Sequence, residues 1–215
     1  MTVANERFSS ELASHAHHEA HGEDHHGPGA KLVIVGYGFW IFLLSDIVMF
    51  SAFFAAHAVL QDSTDGGPKG SELLSIRNVA YETACLLLSS FTCGLILVGA
   101  EARRMAWTQA ALIATGLLGL TFLVLEVREF TEMIGQGAGP QRSAFLSSFF
   151  ALVGCHGAHV SVGLLWLGTM MAQLFVKGFR DDILRRLLCF NLFWHMLDIV
   201  WVAVFTLVYL VGDAR

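Results

Sequence analysis

The chain has 215 residues, 55% of them hydrophobic and 14% charged, with a mean hydropathy of +0.60 and a formal net charge of −5. Soluble domains carry about a quarter charged residues, so the balance excludes an ordinary soluble domain and makes a bilayer the expected solvent. The mild negative charge leaves no basic stripe for nucleic acid, which is excluded as a partner.

Residues 1–31 are polar and read as a flexible, solvated tail. Its segment SHAHHEAHGEDHHGPG holds six of the ten histidines, His15, His17, His18, His21, His25 and His26. Such tracts can bind zinc, copper or nickel, but this one lacks the apolar residues that would fix a coordination shell. The first apolar run starts too late and runs too long for a signal-peptide core, so no cleavable signal is expected.

A hydrocarbon layer of about 30 Å needs about 20 apolar residues in a helix. Five stretches within 32–212 meet that, at about 32–60, 79–100, 107–134, 143–176 and 184–211. An open sheet would leave backbone groups unpaired in lipid, so the expected fold is an all-α membrane bundle of five transmembrane helices. The connections QDSTDGGPKGSE, EARRMA, GQGAGPQR and KGFRDD carry the Gly, Pro and charge of turns and are too short for a catalytic domain. No transporter-type repeat is visible.

Lys and Arg placement sets the expected orientation. Eight lie on the N-terminal side (Arg7, Lys31, Arg103, Arg104, Lys177, Arg180, Arg185 and Arg186) and four on the other (Lys69, Arg77, Arg142 and Arg215). This places the N-terminus in the cytoplasm and the C-terminus in the periplasm.

Ionisable residues inside the spans cost a few kcal/mol each on insertion scales, so they are expected to face the bundle interior and find partners. Asp46, His156, His195 and Asp198 fall near mid-depth. His195 and Asp198, three apart, share a face and can pair, with Asn191 extending the stripe. His156 and His159 repeat the spacing on the fourth span. Asp46 has only Ser45 nearby along its helix and requires a partner from another one. Glu82, Glu126 and Glu129 fall toward the far headgroup zone. Each of these groups reads either as interhelical glue or as part of a proton path or ligand site. The fourth span also carries Gly154, Gly157, Ala158 and Ser161, small residues at a spacing that permits close helix approach. Trp194 and Trp201 fit either an interfacial belt or bundle packing. Cys85, Cys93, Cys155 and Cys189 lie in apolar runs without a CxxC pair and read as packing residues.

HGAH at 156–159 is a single HxxH. Membrane di-iron enzymes use several His-rich boxes, and haem and copper centres draw ligands from several helices. No metal centre and no catalytic residue are therefore expected in the membrane part.

GFWIFLLSDIVMF (38–50), GPQRSAFLSSFFALVGCHGAHVSVGLLWL (139–167) and FWHMLDIVWVAVF (193–205) resemble, in order, the subunit III family of haem-copper terminal oxidases. Five helices, a His-rich tail and the GGP loop at 66–68 look most like the bacterial cytochrome bo-type ubiquinol oxidase branch; the mitochondrial type has two further N-terminal helices. The resemblance implies a non-catalytic subunit without cofactors of its own. Haem and copper would reside in subunit I, the main contact, with subunits II and IV as further partners. Phospholipid would sit in a cleft between helices, and the subunit would support assembly and proton uptake by subunit I. It further implies a bacterial inner-membrane location within a proton-pumping respiratory complex. Asp46 matches a buried carboxylate that reacts with hydrophobic carbodiimide in the family, here Asp where the mitochondrial type commonly has Glu. His156, His159, His195 and Asp198 match motif positions to which we assign structural roles. Two alternatives stay open on sequence: subunit III of a cytochrome c oxidase, since the electron donor is not encoded in this chain, and a free-standing proton channel using Asp46, His195 and Asp198.

Overall fold

The computed structural model describes residues 28–61, 63 and 76–210. The six tail histidines and the 66–68 loop lie outside the described residues. The packing between the described helices lies within one compact unit that begins at Val35.

Among the described residues there are five long helices: α1 (Pro28–Leu60), α2 (Ile76–Glu101), α3 (Met105–Gly135), α4 (Ala144–Lys177) and α5 (Asp181–Val204). α5 runs on without a break into a π-helix, Phe205–Leu210. Stretches of 25 to 34 residues within them are long and apolar enough to cross a membrane. At about 1.5 Å per residue even the shortest exceeds a hydrocarbon layer of about 30 Å. A helix satisfies its interior amides within itself, which is why this sequence can be hydrophobic nearly all round and still fold in lipid.

The connections are tight. The α2–α3 turn closes with the Arg103 amide donating to the Ala100 carbonyl (3.1 Å) and the Arg104 amide to that of Gly99 (3.0 Å). Arg103 takes a left-handed backbone, φ 51°, which costs a non-glycine residue roughly 1–2 kcal/mol. Gly99 lets the turn close: a Cβ there would lie 2.7 Å from Trp107 and 2.8 Å from the Thr108 hydroxyl. Ser143 caps α4 by accepting from the Leu146 amide at 3.2 Å, and Gly178 ends that helix at φ 67°.

α5 is the central stave and α1 the peripheral one. In the most apolar part of each helix, 61% of the residues are buried in α5 but only 11% in α1. Trp194 shows how α5 is seated. Its indole lies in a slot cut by two glycines, Gly119 on α3 and Gly163 on α4; a Cβ on either would come within 2.9 Å of the ring. Its N–H donates to the Ser89 hydroxyl of α2 at 3.0 Å. Trp201 is likewise buried, stacked edge-on against Phe122 of α3 with centroids 4.6 Å apart. Both tryptophans therefore serve bundle packing, not an interfacial belt.

The Trp194 slot gives a direct test. Gly163→Val should overpack it and destabilise the chain by about 1–3 kcal/mol, read as a lowered midpoint of detergent-induced unfolding. Gly168→Val, on the same helix with open space around it, should leave the midpoint nearly unchanged.

Candidate functional site

Polar side chains in the bundle gather along the α2–α5 seam and at the end where α2 begins. Along the seam, antiparallel helices bring matched groups together in order. Asn191 donates to the Cys93 carbonyl at 2.8 Å and approaches its Sγ at 3.3 Å. Trp194 bonds Ser89 as described. His195 Nδ1 lies 2.6 Å from the Ser90 hydroxyl, and Trp201 donates to the Thr83 hydroxyl at 3.1 Å. Such bonds average about 0.6 kcal/mol inside membranes, with a maximum near 1.7.

The seam differs from the sequence expectation at one pair. Residues three apart can meet on a helix, yet His195 turns its Nδ1 to Ser90 on α2 instead of bonding Asp198. Asp198 is half-buried beside Ser90 and His195, and its Oδ1 is buried without a hydrogen-bond partner. The hydroxyls of Thr83, Ser89 and Ser90 are seam partners that motif spacing passes over. A signal for two of them exists: LLLSSFTCG places Ser89 and Ser90 inside an otherwise apolar span.

His195 also lines an apolar cleft of about 350 Å³ between α1 and α5, walled by Trp40, Leu43, Ile47, Phe50, Phe54 and Met196 among others. Asp46 is half-buried on α1, close enough to Cys155 of α4 to act on it electrostatically. Its carboxylate has no hydrogen-bond partner among the described residues, so the interhelical partner that the sequence demanded is not found there. His159 bonds back to the Cys155 carbonyl at 2.8 Å and packs at a tilt against Phe50, with ring centroids 5.2 Å apart.

The second group gathers where α2 begins and α3 and the π-helix end. Glu82 and Glu126 are 1% and 2% exposed, so both carboxyls lie inside the bundle. Glu126 rests on Gly157, whose missing Cβ would fall 2.5 Å from Oε1. The small residue at 157 therefore admits a carboxyl group from α3. Glu129 is half-buried and accepts from the Tyr209 hydroxyl at 3.3 Å. His156 is fully buried between Phe122 and Trp201, and neither ring nitrogen has a hydrogen-bond partner. Among the described residues no three His, Cys, Asp or Glu side chains are grouped to hold a metal ion.

The model of the family described as cytochrome c oxidase subunit III matches residues 14–213. The chain belongs to the subunit III family of haem-copper terminal oxidases. It is 48% identical to the cytochrome bo(3) ubiquinol oxidase subunit 3 of Pseudomonas aeruginosa, covering 92% of this chain and 93% of that one. It is 44% identical to the protein of the same name from Pseudomonas putida (87% and 89%) and 41% identical to the quinol oxidase subunit 3 of Bacillus subtilis (81% and 86%). The three motif blocks of this subunit III fall on α1, α4 with the turn before it, and α5 with the start of the π-helix. They are the segments that build the cleft and hold His156, His159, His195 and Asp198.

The seam is testable by a double-mutant cycle. Trp201→Phe and Thr83→Val should each destabilise this subunit III, and their combination should fall short of the sum by about 0.6–1.7 kcal/mol. Strict additivity in detergent-unfolding midpoints would show that the bond contributes nothing.

Proposed function

We propose that this chain is the non-catalytic subunit III of a proton-pumping, cytochrome bo-type ubiquinol oxidase in a bacterial cytoplasmic membrane. The observation that carries the reading is its 48% identity over nearly the whole length of a cytochrome bo(3) ubiquinol oxidase subunit 3. In that complex haem and copper belong to subunit I, the main contact, with subunits II and IV completing the assembly. The N-terminus faces the cytoplasm. Exposed Arg103, Arg104, Lys177, Arg180 and Arg186 at the α2–α3 and α4–α5 turns support that orientation through the positive-inside rule.

Surface and cleft support the accessory role. α1 presents Trp40, Ile41, Phe42 and Leu44 outward, each at least half exposed, a surface suited to lipid or to a partner helix. The apolar cleft behind it has a volume and lining suited to an acyl chain. Phospholipid held there stabilises the assembly against subunit I. Asp46, at the edge of that environment, contributes to conditions for proton uptake by subunit I.

Purification through a tag on this chain should return a complex with a haem spectrum, a subunit I and quinol-driven oxygen consumption. Recovery of a complex that oxidises cytochrome c instead would overturn the donor assignment. In an oxidase lacking this chain, the initial rate per haem should persist while activity decays within many fewer turnovers. An undiminished lifetime and normal assembly would remove the accessory role. Trp40→Ala combined with Phe54→Ala should lower phospholipid retained per haem, measured by mass spectrometry of the purified complex.

A further inference from the structure

The carboxyl cluster at the start of α2 has no place in the accessory role just described. Glu82 of α2 and Glu126 and Glu129 of α3 lie close enough to act on one another electrostatically. Glu82 Oε2 and Glu126 Oε2 are buried without a hydrogen-bond partner, on side chains at least 98% buried. Glu82 and Glu129 line a polar cavity of about 150 Å³ with Asn78, Tyr81, Arg128 and Glu132. That is space for several waters, and polar walls are what keep water in such a space.

The charges facing the group do not neutralise it. Arg128, the cation in the cavity wall, is turned to Glu132 at 3.9 Å, both side chains being mostly exposed. Arg77 and Asn78 of α2 are exposed. Cys85, one turn above Glu82, offers a weak donor. From the π-helix comes Tyr209, which donates to Glu129. From α4 comes His156, fully buried without a partner at either nitrogen. From α1, His57 is occupied with Ser148 of α4 at 3.0 Å. Three carboxyl groups, one phenol donor and, among the described residues, no buried cation can share low-dielectric surroundings only if something else supplies the missing positive charge. The donor geometry for a metal is not found among the described residues. Protons, with water as their carrier, meet the requirement.

We propose that Glu82, Glu126 and Glu129, with Tyr209, form a proton-holding centre that exchanges with bulk water through the cavity between α2 and α3. In the loading step a hydronium ion in the cavity gives its proton to the Glu82 carboxylate. A carboxylic acid and a water molecule result, and hydrogen-bonded water passes the proton between Glu82 and Glu126. The π-helix is part of the device: widening the last turns of α5 sets the Tyr209 hydroxyl against Glu129. π-turns within helices recur at functional sites.

Infrared difference spectroscopy on the intact oxidase, in nanodiscs, tests the centre without requiring turnover. In neutral buffer a protonated-carboxyl carbonyl band should be present and should move down on transfer to D2O. Glu82→Gln and Glu126→Gln should each remove part of it, and Tyr209→Phe should shift it while keeping its area. Asn78→Trp, which plugs the cavity, should slow deuterium exchange several-fold. The centre is overturned if neither Gln variant removes intensity. It is also overturned if carboxylate bands appear instead and respond to calcium or chelator, marking a cation site. If Glu126→Gln reduces incorporation of the subunit, Glu82→Gln and Tyr209→Phe decide the matter alone. Catalytic lifetime is recorded on the same samples, so loss of the accessory role and loss of this centre are separate results.

Discussion

The seating of Trp194 between Gly119 and Gly163, with its N–H on Ser89, is the constraint on which the rest of the bundle depends. In lipid, apolar surface gains little by leaving one greasy environment for another, so helices associate through close packing and hydrogen bonds. One indole here does both at once. It fills a slot in two helices and bonds a third. Shifting α5 by one residue would rotate the ring out of the slot and into backbone. It would also break the order Asn191–Cys93, Trp194–Ser89, His195–Ser90, Trp201–Thr83. Register along the α2–α5 seam is thereby set by four contacts of the same sense.

Around this rigid seam the other parts are unequal. α1 touches the bundle through large side chains such as Phe50, which meets His156 and His159, and leaves a cleft where backbones do not approach. The rigidity of the seam lets the structure carry polar groups without partners. Glu126 stands over Gly157, and Asp198 lies beside Ser90 with one oxygen unpartnered, where the surrounding packing holds them.

HxxH and HxxD spacings group side chains along one helix. The structure also groups side chains across helices. His195 answers to Ser90, Glu129 to Tyr209, and His57 to Ser148. Spacing along a helix reports which side chains share a face; it carries no information about what that face meets. Depth along a helix says nothing of the burial of Glu82 and Glu126 for a related reason. Distance from a helix end measures height in the membrane, while burial depends on the neighbours at that height.

Hydropathy alone established five membrane-length helices, because the cost of an unpaired peptide group in hydrocarbon leaves the backbone no other solution. Local chemistry also marked the turns between α2 and α3, α3 and α4, and α4 and α5 and, through three ordered motif blocks, the family. Tertiary structure decided which polar groups meet, that α5 is enclosed while α1 lies at the edge, and that carboxyls from α2 and α3 converge with a tyrosine carried by a π-turn. Those outcomes rest on side-chain volumes fitted across helices far apart in the chain, such as an indole against two glycines, and no periodicity within one segment encodes them.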